Sequence, residues 1–132
     1  MLEECAAVAA TAGVKIVVEP INELDVPCYL APTPAAAIEL IEAVGSGWIR
    51  LLYDAYHAAR AGLDPCRYVV SYVPVIDHVQ YADYPGRGAR GIGTTDLRAF
   101  ATALESAGYS GVIGLEFDPG GPTHKAFGCL RW

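Results

Sequence analysis

Four short apolar runs punctuate the chain, and each is followed at its end by a side chain with a free oxygen. KIVV (Lys15–Val18) leads into Glu19, IRLLY (Ile49–Tyr53) into Asp54, VIDHV (Val75–Val79) into Gln80, and VIGL (Val112–Leu115) into Glu116. A parallel strand buried on both faces reads as a short, nearly continuous β-branched run. These runs therefore predict four strands, Lys15–Val18, Ile49–Tyr53, Val75–Tyr81 and Val112–Leu115. A carboxylate or amide at the carboxyl end of such a strand is poor packing material and good site material. Four of them in one chain predict convergence on one site of three carboxylates and one amide oxygen. Oxygen donors of this kind suit a hard divalent cation, Mg²⁺ or Mn²⁺, with Co²⁺ also admissible.

The intervening segments carry helical signals. Leu2–Ala12 is alanine-rich and stops at Gly13; Thr33-Pro34 opens a second helix with Ile38, Leu40, Ile41 and Val44 on its apolar positions and Gly45 after it. Ala55–Tyr72 reads as partly helical, with a break at Asp64-Pro65, and Thr94-Thr95-Asp96 precedes a helix with Leu97, Phe100, Leu104 and Ala107 on one face. Strands alternating with helices at this period are βα units with crossover connections, an α/β fold built on a parallel sheet. The Ile21–Thr33 loop, the glycine-rich PGRGARGIG loop (Pro85–Gly93) and a loop-like tail after Glu116 complete the organisation.

Composition narrows the field. The 132 residues make one domain, and 53% hydrophobic residues suit a sheet covered on both faces. A net charge of −6 argues against a nucleic-acid surface, and no apolar run is long enough to span a bilayer. Cys5, Cys28, Cys66 and Cys129 form no C-x-x-C pair, which predicts reduced thiols in a cytoplasmic protein. The glycine-rich loop fits neither a Walker-type nor a dinucleotide fingerprint and reads as a flexible active-site loop.

The segments VVEPIN (Val17 to Asn22), LLYDAYH (Leu51 to His57), HVQYADYPGR (His78 to Arg87) and GLEFDP (Gly114 to Pro119) together resemble the hydroxypyruvate isomerase family of xylose-isomerase-like TIM barrels. They follow its order and spacing, and the likeness extends into the tail GPTHKAFGCLRW. A TIM barrel closes with eight βα units and about 250 residues. The resemblance therefore implies that residues 1–132 are the carboxyl-terminal half of such a barrel, an α/β half-barrel of about four parallel strands alternating with helices. It also implies a need for an amino-terminal half or for self-association, because an open sheet leaves two unpaired edges.

The resemblance assigns Glu19, Asp54, Gln80 and Glu116 to the metal, the same four positions reached from the strand ends. It assigns Glu19 and Glu116 to acid–base catalysis, and His57 and Arg87 to the substrate. Arg87 is the group suited to a substrate carboxylate. Asn22 and Asp83 are weaker candidates at the same rim, His78 reads as a neighbour of the ligand Gln80, and His124 as solvated. The implied reaction is isomerisation of a small α-hydroxycarbonyl acid or sugar through an enediol(ate), foremost hydroxypyruvate and tartronate semialdehyde. The alternatives are a sugar 3-epimerase, an abasic-site endonuclease of the same fold, and an inactive half-barrel acting only in assembly. The endonuclease is disfavoured by only three histidines and the acidic balance. The glutamate that many relatives carry in the turn before the Leu97 helix is replaced by Thr94, which can still cap the helix but does not supply that glutamate's carboxylate.

Overall fold

The computed structural model describes residues 1–126 and 128. Four strands, β1 (Ile16–Val18), β2 (Ile49–Asp54), β3 (Ile76–Tyr81) and β4 (Ile113–Leu115), lie in the order β1-β2-β3-β4, every neighbouring pair parallel. Sequential order with right-handed crossovers places all connecting helices on one face. These helices are α1 (Leu2–Ala12), α2 (Pro34–Val44), α3 (Ala55–Arg60), α4 (Pro65–Tyr72) and α5 (Leu97–Ser106), followed by a one-turn α6 (Thr123–Ala126). The sheet is open, with β1 and β4 at its edges, and supplies four of the eight strands that close a barrel. No helix among the described residues is long and apolar enough to cross a membrane.

The predicted elements are found with small shifts. Thr33 caps α2, its hydroxyl accepting from the Ala36 N–H, and Gly13 and Gly45 take left-handed backbone at φ 67° and 65°, conformations that glycine adopts without penalty. The break at Asp64-Pro65 separates α3 from α4, with Asp64 as the α4 cap. Three details differ. Asp96, not Thr94, caps α5, because its carboxylate reaches the Arg98 and Ala99 N–H groups, while the Thr94 hydroxyl donates to the Tyr84 carbonyl. The tail holds the short helix α6 where a loop was expected. Val73–Val75 form a 3₁₀ turn, so β3 begins at Ile76. Cys5, Cys28 and Cys66 are free thiols; Cys129 lies outside the described residues.

The core lies between sheet and helices. Ile49, Leu51 and Tyr53 of β2 and Ile76, Val79 and Tyr81 of β3 pack against Ala37, Ile41, Val69, Phe100 and Leu104. Because side chains alternate along a strand, the residues between them face the other side of the sheet. That side carries Asp54 and Gln80, which are paired in register across β2 and β3. One face is therefore hydrocarbon, and the other collects the polar strand-end groups.

Candidate active site

Asp54 ends β2 and heads α3, and its two oxygens do different things. Oδ1 accepts from the Tyr56 N–H at 2.7 Å and caps the helix; Oδ2 is fully buried and has no hydrogen-bond partner among the described residues. Next to it in register, the Gln80 amide oxygen Oε1 is also buried and unpartnered. Unpaired buried oxygens are costly, typically ~1–3 kcal/mol each. Two of them, on residues paired in register, are donors suited to a cation.

Glu19 stands just beyond β1, its side chain 27% exposed. Burial first, then the charges of Asp54 and Glu116, raise its carboxyl to about 7. Burial likewise raises Asp54 to about 6. Both shifts are first those of carboxyl groups taken out of water, and secondarily those of acidic neighbours: Asp54 and Glu116 for Glu19, and Glu116 for Asp54. Glu19, Asp54 and His57 present ligand atoms within 4.8 Å of one another. The arrangement thus fits a divalent cation on its own chemistry: mutually repelling carboxylates beside two orphaned oxygens. Glu116, following β4, is half-exposed and joins the cluster through Arg87, whose Nη2 donates to Oε1 at 2.6 Å. Its N–H donates to the Tyr81 carbonyl, tying the end of β4 to β3.

His57 is 5% exposed, its Nε2 at 3.9 Å from Glu19 and 4.0 Å from Asp54. Burial, then the Arg87 charge, lower its pKa. Arg87 also lies over the Tyr56 ring, 5.1 Å from its centroid. The residue takes φ 50°, a left-handed conformation uncommon for a non-glycine side chain, so the loop fixes where the guanidinium emerges.

Asp83 explains how. This fully buried carboxylate receives the backbone N–H groups of Gly91, Ile92 and Gly93 on Oδ2 and of Thr95 on Oδ1, at 2.9–3.1 Å. The glycine-rich loop does cradle an anion, but the anion is the chain's own. The expected flexible loop is instead held along this stretch, and Gly93 is required there. A Cβ on Gly93 would sit 2.0 Å from the Tyr84 carbonyl oxygen.

In sequence Asp83 is a rim residue with no visible partner, and two further contributors, Gly114 and Asp25, emerge only from the structure. Gly114 lies level with Gln80, and a Cβ there would meet His78 Nε2 at 3.0 Å and Gln80 Cγ at 3.4 Å. Its missing side chain gives His78 and Gln80 their room. Asp25 links Asn22 to Arg60, accepting from both side chains. His78 is partly buried near Gln80, and His124 is exposed on α6.

A sequentially ordered parallel sheet, helices on one face and polar groups at its carboxyl ends define a βα-barrel type with a strand-end site. The chain belongs to the xylose isomerase-like TIM barrel family, whose profile matches residues 1–131. It is 37% identical over 123 residues to a putative hydroxypyruvate isomerase of Streptomyces coelicolor, covering 89% of this chain and 44% of that protein. It is 31% identical over 117 residues to hydroxypyruvate isomerase of Escherichia coli, again 89% of this chain and 44% of that protein. A crystal structure of AP endonuclease, family 2 from Brucella melitensis superposes with a TM-score of 0.89 at 29% identity, over 95% of this chain and 48% of the other. The chain thus spans about half the length of the curated relatives it matches.

Proposed function

We propose that this chain carries the metal-binding and acid–base groups of an isomerase acting on a small α-hydroxycarbonyl acid, with hydroxypyruvate and tartronate semialdehyde as the interconverted pair. One observation carries the reading: the buried oxygens of Asp54 and Gln80, on residues paired in register and unpartnered among the described residues, with Glu19 and Glu116 after the strands on either side. The hydroxypyruvate isomerase relatives supply the reaction class.

Glu19, Asp54, Gln80 and Glu116 are the residues that would hold Mg²⁺ or Mn²⁺. A bound ion would supply the positive charge that acidifies the C–H beside the substrate carbonyl. Glu19 takes that proton from the hydroxymethyl carbon of hydroxypyruvate, acting as the general base. The electron pair left behind forms the enediolate double bond. Glu116, protonated from solvent once Arg87 leaves it, gives that proton to the middle carbon; the hydroxyl proton passes from one substrate oxygen to the other, and Glu19 releases its captured proton to solvent, so atoms and charge balance over the cycle. Arg87 exchanges its contact with Glu116 for the substrate carboxylate, which frees Glu116 at the moment it is needed. His57 donates to a substrate oxygen. The remaining strands of the barrel come from an amino-terminal half or a second copy of the chain.

The test is proton-exchange NMR of hydroxypyruvate in D₂O with Mn²⁺, using the chain with and without an amino-terminal half supplied by a relative. Deuterium entering the substrate together with formation of tartronate semialdehyde supports the reading. Epimerisation of a ketose without either would move the assignment to the 3-epimerase. Nicking of abasic DNA would overturn both, and inertness in every mixture would leave an assembly module.

A further inference from the structure

The amide of Asn22 is 1% exposed, and its orientation can be assigned from its neighbours. Its Oδ1 accepts the Asp25 backbone N–H at 3.0 Å, so that atom is the oxygen. Its Nδ2 faces the Asp25 carboxylate oxygen Oδ2 at 3.0 Å, so that atom is the nitrogen. The same Nδ2 lies 2.7 Å from His57 Nδ1. An NH₂ group has two hydrogens, and here one goes to Asp25 and the other to His57. Flipping the amide would set an oxygen against a carboxylate and an NH₂ against a backbone N–H. Asp25 is in turn held by the Arg60 guanidinium.

A donor aimed at Nδ1 requires a lone pair there. We infer that Asn22 is a positioning residue that locks His57 as the neutral ring with its proton on Nε2, turning the imidazole into a fixed hydrogen-bond donor aimed at the carboxylate cluster and barring it from the metal. Nε2 stands 3.9 and 4.0 Å from the nearest oxygens of Glu19 and Asp54, too long for a hydrogen bond, so its proton remains free for an oxygen placed between them. A protonated nitrogen has no lone pair to give a cation. His57 therefore sits within ligand distance of Glu19 and Asp54 without being a ligand. A second proton on Nδ1 would face the Asn22 N–H, so the same contact disfavours the charged ring. The role rests on the proposed function only in naming the oxygen as the substrate's.

Long-range ¹H–¹⁵N correlation spectra of the labelled chain, with the His57 signals assigned by His57→Gln, read the tautomer without any substrate. The spectrum expected near pH 7 is that of a neutral ring with Nε2–H. In Asn22→Asp the new carboxylate accepts instead of donating, and the ring is expected to move to Nδ1–H or to the charged form. A wild-type ring carrying its proton on Nδ1, or one unmoved by Asn22→Asp, would overturn the inference; should that variant not fold, the wild-type spectrum alone decides. Mn²⁺ titration of His57→Gln is the second arm. An affinity loss no larger than ~100-fold, the range for groups beside the ligands, is expected, whereas a loss well beyond ~100-fold would mean that His57 binds the ion. Absence of Mn²⁺ binding by the wild type would refute the metal reading, with the tautomer still decided by the spectrum.

Discussion

Replacing Glu19 with glutamine should make the metal-free chain more stable at pH 8 while removing its ability to hold a cation. The folded chain keeps the Glu19 proton up to about 7, whereas the ordinary value is 4.5. Between those two values the folded state binds more protons than the unfolded one, so stability falls as pH rises. At roughly 1.4 kcal/mol for each pH step between the two values, ionised Glu19 costs the fold ~3 kcal/mol by pH 8. Glutamine has nearly the same shape and no charge, so E19Q avoids that cost. Urea unfolding in EDTA, followed by far-UV circular dichroism, measures it. Wild type and E19Q should unfold together near pH 4.5 and separate by pH 8, with the E19Q midpoint higher by ~1–3 M for a urea m-value of ~1–3 kcal/mol/M. Saturating Mn²⁺ should reverse the order, because only the wild type gains binding energy. An E19Q chain no more stable than wild type at pH 8, or a gap that does not shrink toward pH 4.5, would refute the claim that Glu19 is held in an electrostatically strained acidic cluster.

Asp54 should separate into its two oxygens: D54N keeps an acceptor for the Tyr56 N–H and retains stability but loses Mn²⁺ affinity, while D54A loses both, with ~0.5–2 kcal/mol of cap energy visible in urea. D83N replaces one acceptor oxygen with an NH₂ facing backbone donors; tryptic cleavage after Arg87 and Arg90 should accelerate at least 10-fold, while Mn²⁺ affinity changes little. G114A should weaken Mn²⁺ binding by crowding His78 and Gln80, with a smaller effect on thermal stability than D54A, as checked by calorimetry.

The strands and their terminal groups were legible because a buried parallel strand leaves a dense apolar run, and because glycine and proline mark helix ends that the backbone then honours at Gly13, Thr33-Pro34 and Gly45. What stayed hidden depends on contacts distant in sequence or made to the backbone. Asp83 binds N–H groups eight to twelve residues ahead, and backbone donors leave no residue-type signature. Asn22 meets His57 across 35 residues, so neither segment alone announces the pair. Gly114 reads as an ordinary strand glycine until His78 and Gln80 are seen beside it. Thr94, Thr95 and Asp96 are all capping types, so sequence brackets the α5 cap and only the geometry picks Asp96.

The central claim is that Glu19, Asp54, Gln80 and Glu116 act as one divalent-metal site, and Mn²⁺ electron paramagnetic resonance titration of the purified chain tests it most directly. One tightly held Mn²⁺ per chain is predicted, weakened by at least ~10-fold in each of E19Q, D54N, Q80A and E116Q. Equal Mn²⁺ occupancy in wild type and all four variants, or none in the wild type, would contradict it.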